Sequence, residues 1–195
     1  MLQTLTVYCG SSDQVHPEFL QAAFAMGAAV AHHGLLLAYG AGRTGLMGAV
    51  ADGALQAGGQ VLGIIPRMFN TPQLVHTGLT ELRVVESMHA RKAALAEIGD
   101  AFAALPGGFG TFEELFEILT WSQIGLHQKP IGLLNARHYY DPLLALVQHA
   151  QAEGMIYREH QELFVYAESP EALLAALETY TSPPGLERWT QRDDG

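Results

Sequence analysis

Short, largely apolar runs of four or five residues recur along the chain at Leu5–Cys9, Leu35–Tyr39, Val61–Ile65, Leu82–Val85, Phe102–Leu105, Ile131–Leu134 and Leu163–Tyr166. A strand wetted on one side alternates apolar and polar residues, whereas a run that stays apolar at successive positions buries both faces. Between these runs lie longer segments with helical spacing, at about Pro17–His33, Thr44–Ala57, Met88–Ile98, Thr111–Ile124, Pro142–Glu153 and Pro170–Thr179. Their ends are punctuated. Asp141 and Ser169 stand before Pro142 and Pro170, the order of an N-cap followed by proline in the first turn, and Gly34, Gly58, Gly99, Gly125 and Gly154 close helices. The alternation predicts an α/β fold: a single-domain, Rossmann-like doubly wound sheet of about seven mainly parallel strands with helices on both faces.

The stretch Met68–Thr80 breaks the periodicity with Asn70, Pro72 and Gly78 and is expected to be a long loop or short helix that covers a site. No internal repeat appears, so residues 1–181 are read as one domain and 182–195, with few apolar anchors, as a flexible tail. Composition agrees: charged residues are 15% of the chain, against roughly 25% in an average soluble domain, and hydrophobic residues are 49%. Much of the chain must therefore face inward on two sides.

Twenty acidic residues against ten basic ones give a net charge of -10, the wrong sign for a partner such as polymeric nucleic acid. The longest apolar run, Ala22–Ala31, is ten residues, short of the roughly 18 that argue for a membrane span, and no basic region precedes the first apolar residues as in a secretory signal. The single cysteine, Cys9, allows no internal disulfide, so a reducing cytoplasm is the expected setting. The nine histidines show no ligand spacing, and no metal is expected.

In an open parallel sheet, ligands bind at the carboxyl ends of the strands. Three such ends are glycine-rich: Cys9-Gly10-Ser11-Ser12, Tyr39-Gly40-Ala41-Gly42-Arg43-Thr44-Gly45 and Pro106-Gly107-Gly108-Phe109-Gly110-Thr111. Glycine lets backbone N–H groups approach a phosphate, and a following helix N-terminus adds a favourable field. Gly40, Gly42 and Gly45 match the dinucleotide fingerprint, but the ribose-reading acid expected about 20 residues on is missing from Val61–Arg67, which argues against NAD. No loop ends in Gly-Lys-Ser or Gly-Lys-Thr, so the Walker A form fails too.

Two charge placements stand out. Thr111-Phe112-Glu113-Glu114 reads as a capping box, yet a carboxylate beside a phosphate loop also suits a catalytic acid or base. Arg91 and Lys92 fall in the first turns of a helix beginning near Ser87, where a cation is locally unfavourable and a bound anion would relieve it. Exposed charges without a role are the alternative. Cys9, at a strand end, is read as a buried, inert thiol rather than a nucleophile.

These residues together resemble the LOG (LONELY GUY) family. The resemblance rests on Tyr39-Gly40-x-Gly42 with Gly45-Leu46-Met47-Gly48, Gly63-Ile64-Ile65-Pro66, Met88-His89-x-Arg91-Lys92, Pro106-Gly107-Gly108-x-Gly110-Thr111-x-x-Glu114, Thr120-Trp121 and Lys129-Pro130-x-Gly132-Leu133-Leu134-Asn135, spanning about residues 5–167. Such proteins are cytokinin riboside 5'-monophosphate phosphoribohydrolases, often mislabelled as lysine decarboxylases. The resemblance implies hydrolysis of the N-glycosidic bond of a purine nucleoside 5'-monophosphate (AMP or N6-modified AMP) without a cofactor, in a homodimer. It places the catalytic pair on Arg91 and Glu114 and nucleotide contacts on Lys92, Gly108, Gly110, Thr111 and Thr120. With Met88 and the loop positions Gly10, Ser11, Gly42, Thr44 and Gly107, these form the candidate site. Whether Arg91 serves the base or the phosphate stays open. Glu113 is set aside in favour of Glu114 only by the motif's last position.

One departure is Ala41, where many family members have a third glycine, and its methyl is expected to narrow the phosphate or base region. Related molybdenum-cofactor carriers share such loops, so a non-catalytic nucleotide or phosphorylated-cofactor carrier is the alternative. A pyridoxal phosphate decarboxylase would need a lysine. The chain has Lys92, inside the proposed anion site, and Lys129, at the wrong end of a strand. The Thr111–Ile124 helix, with Phe112, Leu115, Phe116, Ile118, Leu119 and Trp121, is apolar over more of its circumference than a sheet-facing stripe needs, which marks a partner surface.

Overall fold

The computed structural model describes residues 2–186. In chain order its elements are β1 (Thr4–Tyr8), α1 (Pro17–His32), β2 (Leu36–Tyr39), α2 (Gly45–Gln56), β3 (Gln60–Pro66), β4 (Glu81–Val85), α3 (Met88–Ile98), β5 (Ala101–Ala104), α4 (Phe109–Gln123), β6 (Ile131–Leu134), α5 (Asp141–Ala152), β7 (Val165–Ala167) and α6 (Pro170–Thr179). Every strand pairing is parallel, and the order across the sheet is β4-β3-β2-β1-β5-β6-β7.

Alternate residues of the strands feed two cores. Leu5, Val7, Leu37 and Val61 pack under α1, α2 and α6, while Tyr8, Ala38, Leu62 and Phe102 pack under α3, α4 and α5. This two-sided burial is why the strand runs are almost continuously apolar. The chain runs outward from β1 through β2, β3 and β4, then returns to place β5 on the other side of β1. That reversal opens a crevice between the carboxyl ends of β1 and β5, the switch point of a doubly wound sheet.

Several boundaries differ from the sequence reading. The β4 edge strand is mostly exposed. Leu163 belongs to a short 3-10 turn, Arg158–Leu163, where it is buried without being a strand residue. Asp141 lies inside α5 rather than capping it, and accepts from Asn135 Nδ2 at 2.8 Å, whereas Ser169 does cap α6. Part of the Met68–Thr80 loop forms a 3-10 turn, and the loop is pinned by an antiparallel bridge between Gly42 and Val75. Of the tail expected from 182, Leu186 is buried and residues 187–195 lie outside the described residues.

Candidate active site

The crevice between β1 and β5 contains a cavity of about 300 Å³. One wall is the end of β1 with the loop after it, Tyr8 to Ser11; the other is the start of α4, Gly108 to Glu114, with Gly40, Met47 and Arg91 closing it. α4 begins at Phe109 behind Gly108, with no side chain capping it. The N–H groups of its first turn have no acceptor within the helix and face a site ready for an anion. Thr111 is therefore already helical and buried, so the capping-box reading of Thr111 and Glu114 fails.

Glu114, 7% exposed, instead accepts from Arg91 Nη2 at 2.5 Å. Burial pushes its carboxyl above the usual range, and the nearby guanidinium pulls it partly back. The α3 N-terminus is capped by Ser87, which accepts from the Ala90 N–H, so Arg91 is not stranded in an open helix end. Room for its guanidinium comes from Gly40, where a Cβ would stand 3.3 Å from Arg91 Cζ. Arg91 Nε is buried and has no hydrogen-bond partner among the described residues.

Neighbouring residues on a helix point about 100° apart, and here this separates two charge pairs. Arg91 and Glu114 face the cavity, whereas Lys92 turns to the far side of the α3–α4 contact, bonding Glu113 and Glu117 at 2.9 Å each. Lys92 is thus a buried clip between the two helices, not a wall of the cavity.

The Gly40–Gly45 loop is also used internally. Asp13 Oδ1 accepts from the Gly45 N–H at 2.7 Å, and the Met47 N–H reaches the Gly10 carbonyl at 3.1 Å. Gly45 has a left-handed φ of +59°, and a Cβ there would stand 2.6 Å from the Ser11 backbone. This glycine fingerprint therefore packs two loops together, and the Gly45 N–H is spent on Asp13.

Of the residues expected in the site, Arg91, Glu114, Gly10, Ser11, Gly108, Gly110 and Thr111 line the cavity. Gly42, Thr44, Met88, Lys92, Gly107 and Thr120 do not. Thr44 Oγ1 donates to the Ser11 carbonyl, so it supports a wall from behind. Gly107 packs behind Gly10. Thr120 sits about 13 Å further along α4 than Thr111 and donates back to the Phe116 carbonyl. Ala41, at φ +62°, packs its methyl group against Gly63 and the cluster of Ile65 and Val75, not in the cavity. The sequence reading missed Tyr8, Met47 and Phe109. Their position at a strand end or first helical turn was the available signal. Phe109 is 93% exposed at the mouth.

A family model described as "Possible lysine decarboxylase" matches residues 47–177. A Rhodococcoides fascians protein named cytokinin riboside 5'-monophosphate phosphoribohydrolase is 48% identical over 176 residues, covering 90% of this chain and 89% of the relative. The rice (Oryza sativa subsp. japonica) protein named cytokinin riboside 5'-monophosphate phosphoribohydrolase LOG is 40% identical over 176 residues, 90% of this chain and 73% of its own. Among solved structures, the molybdenum cofactor binding protein of Rippkaea orientalis superposes with a TM-score of 0.71 at 24% identity, covering 92% of this chain and 97% of its own. At that identity the likeness establishes the shared fold.

The decarboxylase description would call for pyridoxal phosphate, and the residues do not fit it. Lys92 is held by two glutamates away from the cavity, and Lys129 Nζ donates to the Ala96 and Glu97 carbonyls beside the opposite edge of the sheet. Neither amine is free to hold that cofactor at the carboxyl ends of the strands.

Proposed function

Because the chain belongs to the LOG family, we propose that it hydrolyses the N-glycosidic bond of a purine nucleoside 5'-monophosphate, of adenosine or cytokinin type, to free base and ribose 5-phosphate. The observation that carries this reading is the buried Arg91–Glu114 pair facing the same cavity as the uncapped start of α4. Phe109, Gly110 and Thr111 offer the 5'-phosphate their N–H groups and the positive end of the helix. Glu114 lies five residues beyond Phe109, about 7.5 Å along the helix axis, on the same cavity wall as these donors.

As the bond from the anomeric carbon to the base nitrogen breaks, its electron pair leaves with the base and positive charge grows on the ribose. The Glu114 carboxylate faces that charge, stabilises it, and takes a proton from the water whose oxygen bonds to the anomeric carbon. The base nitrogen gains a proton from solvent and Glu114 returns to solvent the one it took from water, so one water is consumed per base released. Burial raises the basicity of Glu114, which favours the water step. Arg91 holds the carboxylate in place through Nη2 and carries its positive charge to the cavity wall. A carrier would need only the phosphate loop. The paired carboxylate favours turnover.

The reading extends to assembly and setting. Leu115 and Ile118 of α4 are buried inward, while Phe116, Ile124 and Leu126 stay exposed, which supports a homodimer through this face. No helix among the described residues is long and apolar enough to cross a membrane, and the one cysteine is buried and free, in keeping with work in the cytoplasm. Incubation with AMP and with N6-substituted AMPs, followed by chromatography, tests the activity: free base is expected, and its absence from every nucleotide overturns the proposal.

A further inference from the structure

The loop that carries β5 into α4 has three successive carbonyls, and each is held by a different donor. Tyr140 Oη donates to Leu105 O at 2.7 Å, the Gly10 N–H donates to Pro106 O at 3.0 Å, and Tyr139 Oη donates to Gly107 O. In a trans peptide the carbonyl and the following N–H point in opposite directions, so fixing a carbonyl fixes the next amide. Pinning Gly107 O therefore sets the direction of the N–H of Gly108, a cavity residue.

The two tyrosines come from the turn after β6, and that turn is built to deliver them. Arg137 and His138 are consecutive non-glycine residues at φ +53° and +58°, a conformation held only where surroundings over-determine it. Here Asn135 Oδ1 accepts from the Tyr140 N–H at 2.7 Å, Asn135 Nδ2 donates to Asp141 at 2.8 Å, and Arg137 reaches Glu18 at 2.7 Å. The Tyr139 ring stacks on Phe112 of α4 and meets Phe19 of α1 edge-on. The hydroxyl is thus aimed from both sides.

We propose that Tyr139 is a positioning residue: it orients the Gly107–Gly108 peptide so that the start of α4 is preformed for the phosphate of the nucleotide. This rests on the phosphate placement of the preceding subsection, and it assigns a role to a side chain outside the cavity. Stacking alone would leave the hydroxyl idle, whereas here it is the only tie on Gly107 O among the bonds described.

Calorimetric titration of ribose 5-phosphate into wild type and Tyr139→Phe, which keeps the ring and removes the oxygen, tests the proposal without requiring turnover. The variant should bind about fivefold more weakly, the factor one ordinary hydrogen bond commands. KM for AMP should rise by the same factor while kcat stays within about twofold. Inhibition by adenosine, which lacks the phosphate, should not change. Unaltered ribose 5-phosphate affinity would overturn the proposal, as would an equal loss for adenosine, which indicates a generally loosened site. If wild type released no base but Tyr139→Phe still weakened ribose 5-phosphate binding, the hydrolase reading would fall and this one would stand. Melting is recorded on each sample. Should Tyr139→Phe not fold, Phe19→Leu, which removes the ring edge against Tyr139, decides: ribose 5-phosphate binding weakened about twofold supports the proposal, and unchanged binding overturns it.

Discussion

Glu114→Gln isolates the charge on which the proposed chemistry rests. The side chain is 9% exposed and its Oε1 lies 2.5 Å from Arg91 Nη2, whose side chain is 16% exposed. Glutamine has the same shape, and its amide oxygen can still accept from the guanidinium, so the hydrogen bond survives while the negative charge is lost. Removing it costs attraction to Arg91 but also relieves the desolvation penalty that raises the carboxyl pKa. These terms oppose each other and the retained hydrogen bond softens the loss of Arg91's counter-charge, so the net destabilisation should stay below the roughly 3–5 kcal/mol of a broken buried pair. No capping contribution enters, because α4 starts at Phe109 behind Gly108. Activity should respond on a different scale. Loss of a preorganised charge facing an oxocarbenium-like transition state costs about a hundredfold to a thousandfold in kcat, about 3 to 4 kcal/mol. Thermal melting and single-substrate kinetics with AMP on the same preparation check both numbers. A folded variant retaining more than a tenth of the wild-type kcat would refute the role given to Glu114.

The pH dependence of kcat/KM should carry the same signature. In the proposed reaction Glu114 works ionised, and burial raises its pKa, so activity should rise with pH through an acid limb centred above the ordinary glutamate value of about 4.3; a limb at or below that value would contradict the assignment. Ala41→Gly should leave KM for AMP within about twofold, since the methyl group packs against Gly63 and Ile65 outside the cavity. Its stability change should stay within about 1 kcal/mol, relief of the left-handed φ offsetting the lost buried methyl and the added chain freedom. A KM shift beyond fivefold would place that methyl in the site. Light scattering at micromolar concentration should give about twice the 21.1 kDa chain mass, and the single-chain mass would defeat the dimer.

The sheet was readable in advance because a parallel strand buried on both faces has to be apolar at successive positions, as Leu37 to Tyr39 and Ile131 to Leu134 are. Where that physical cause weakens, the reading weakens. The edge strand β4 falls where the run Leu82–Val85 placed it but is mostly exposed, and Leu163 is buried without being in a strand. The candidate site was partly legible for a similar reason. Arg91 looked misplaced at a helix start and Glu114 looked misplaced beside a phosphate loop, and each proves to be the other's partner. Adjacency misled for Lys92, since sequence neighbours on a helix face different ways. The Thr-x-x-Glu spacing misled because a capping box cannot be told from a helix that begins two residues earlier on Phe109 and Gly110. Asp13 and Tyr139 act through long-range contacts that leave no local pattern.

The central claim concerns which bond is cut, and a product balance addresses it directly. AMP incubated with the wild-type protein would be followed for adenine, ribose 5-phosphate and inorganic phosphate in the same samples over time. Hydrolysis at the anomeric carbon predicts adenine and ribose 5-phosphate in equal amounts, with no inorganic phosphate released. Inorganic phosphate appearing with adenosine, or AMP and its N6-substituted forms surviving intact, would contradict it.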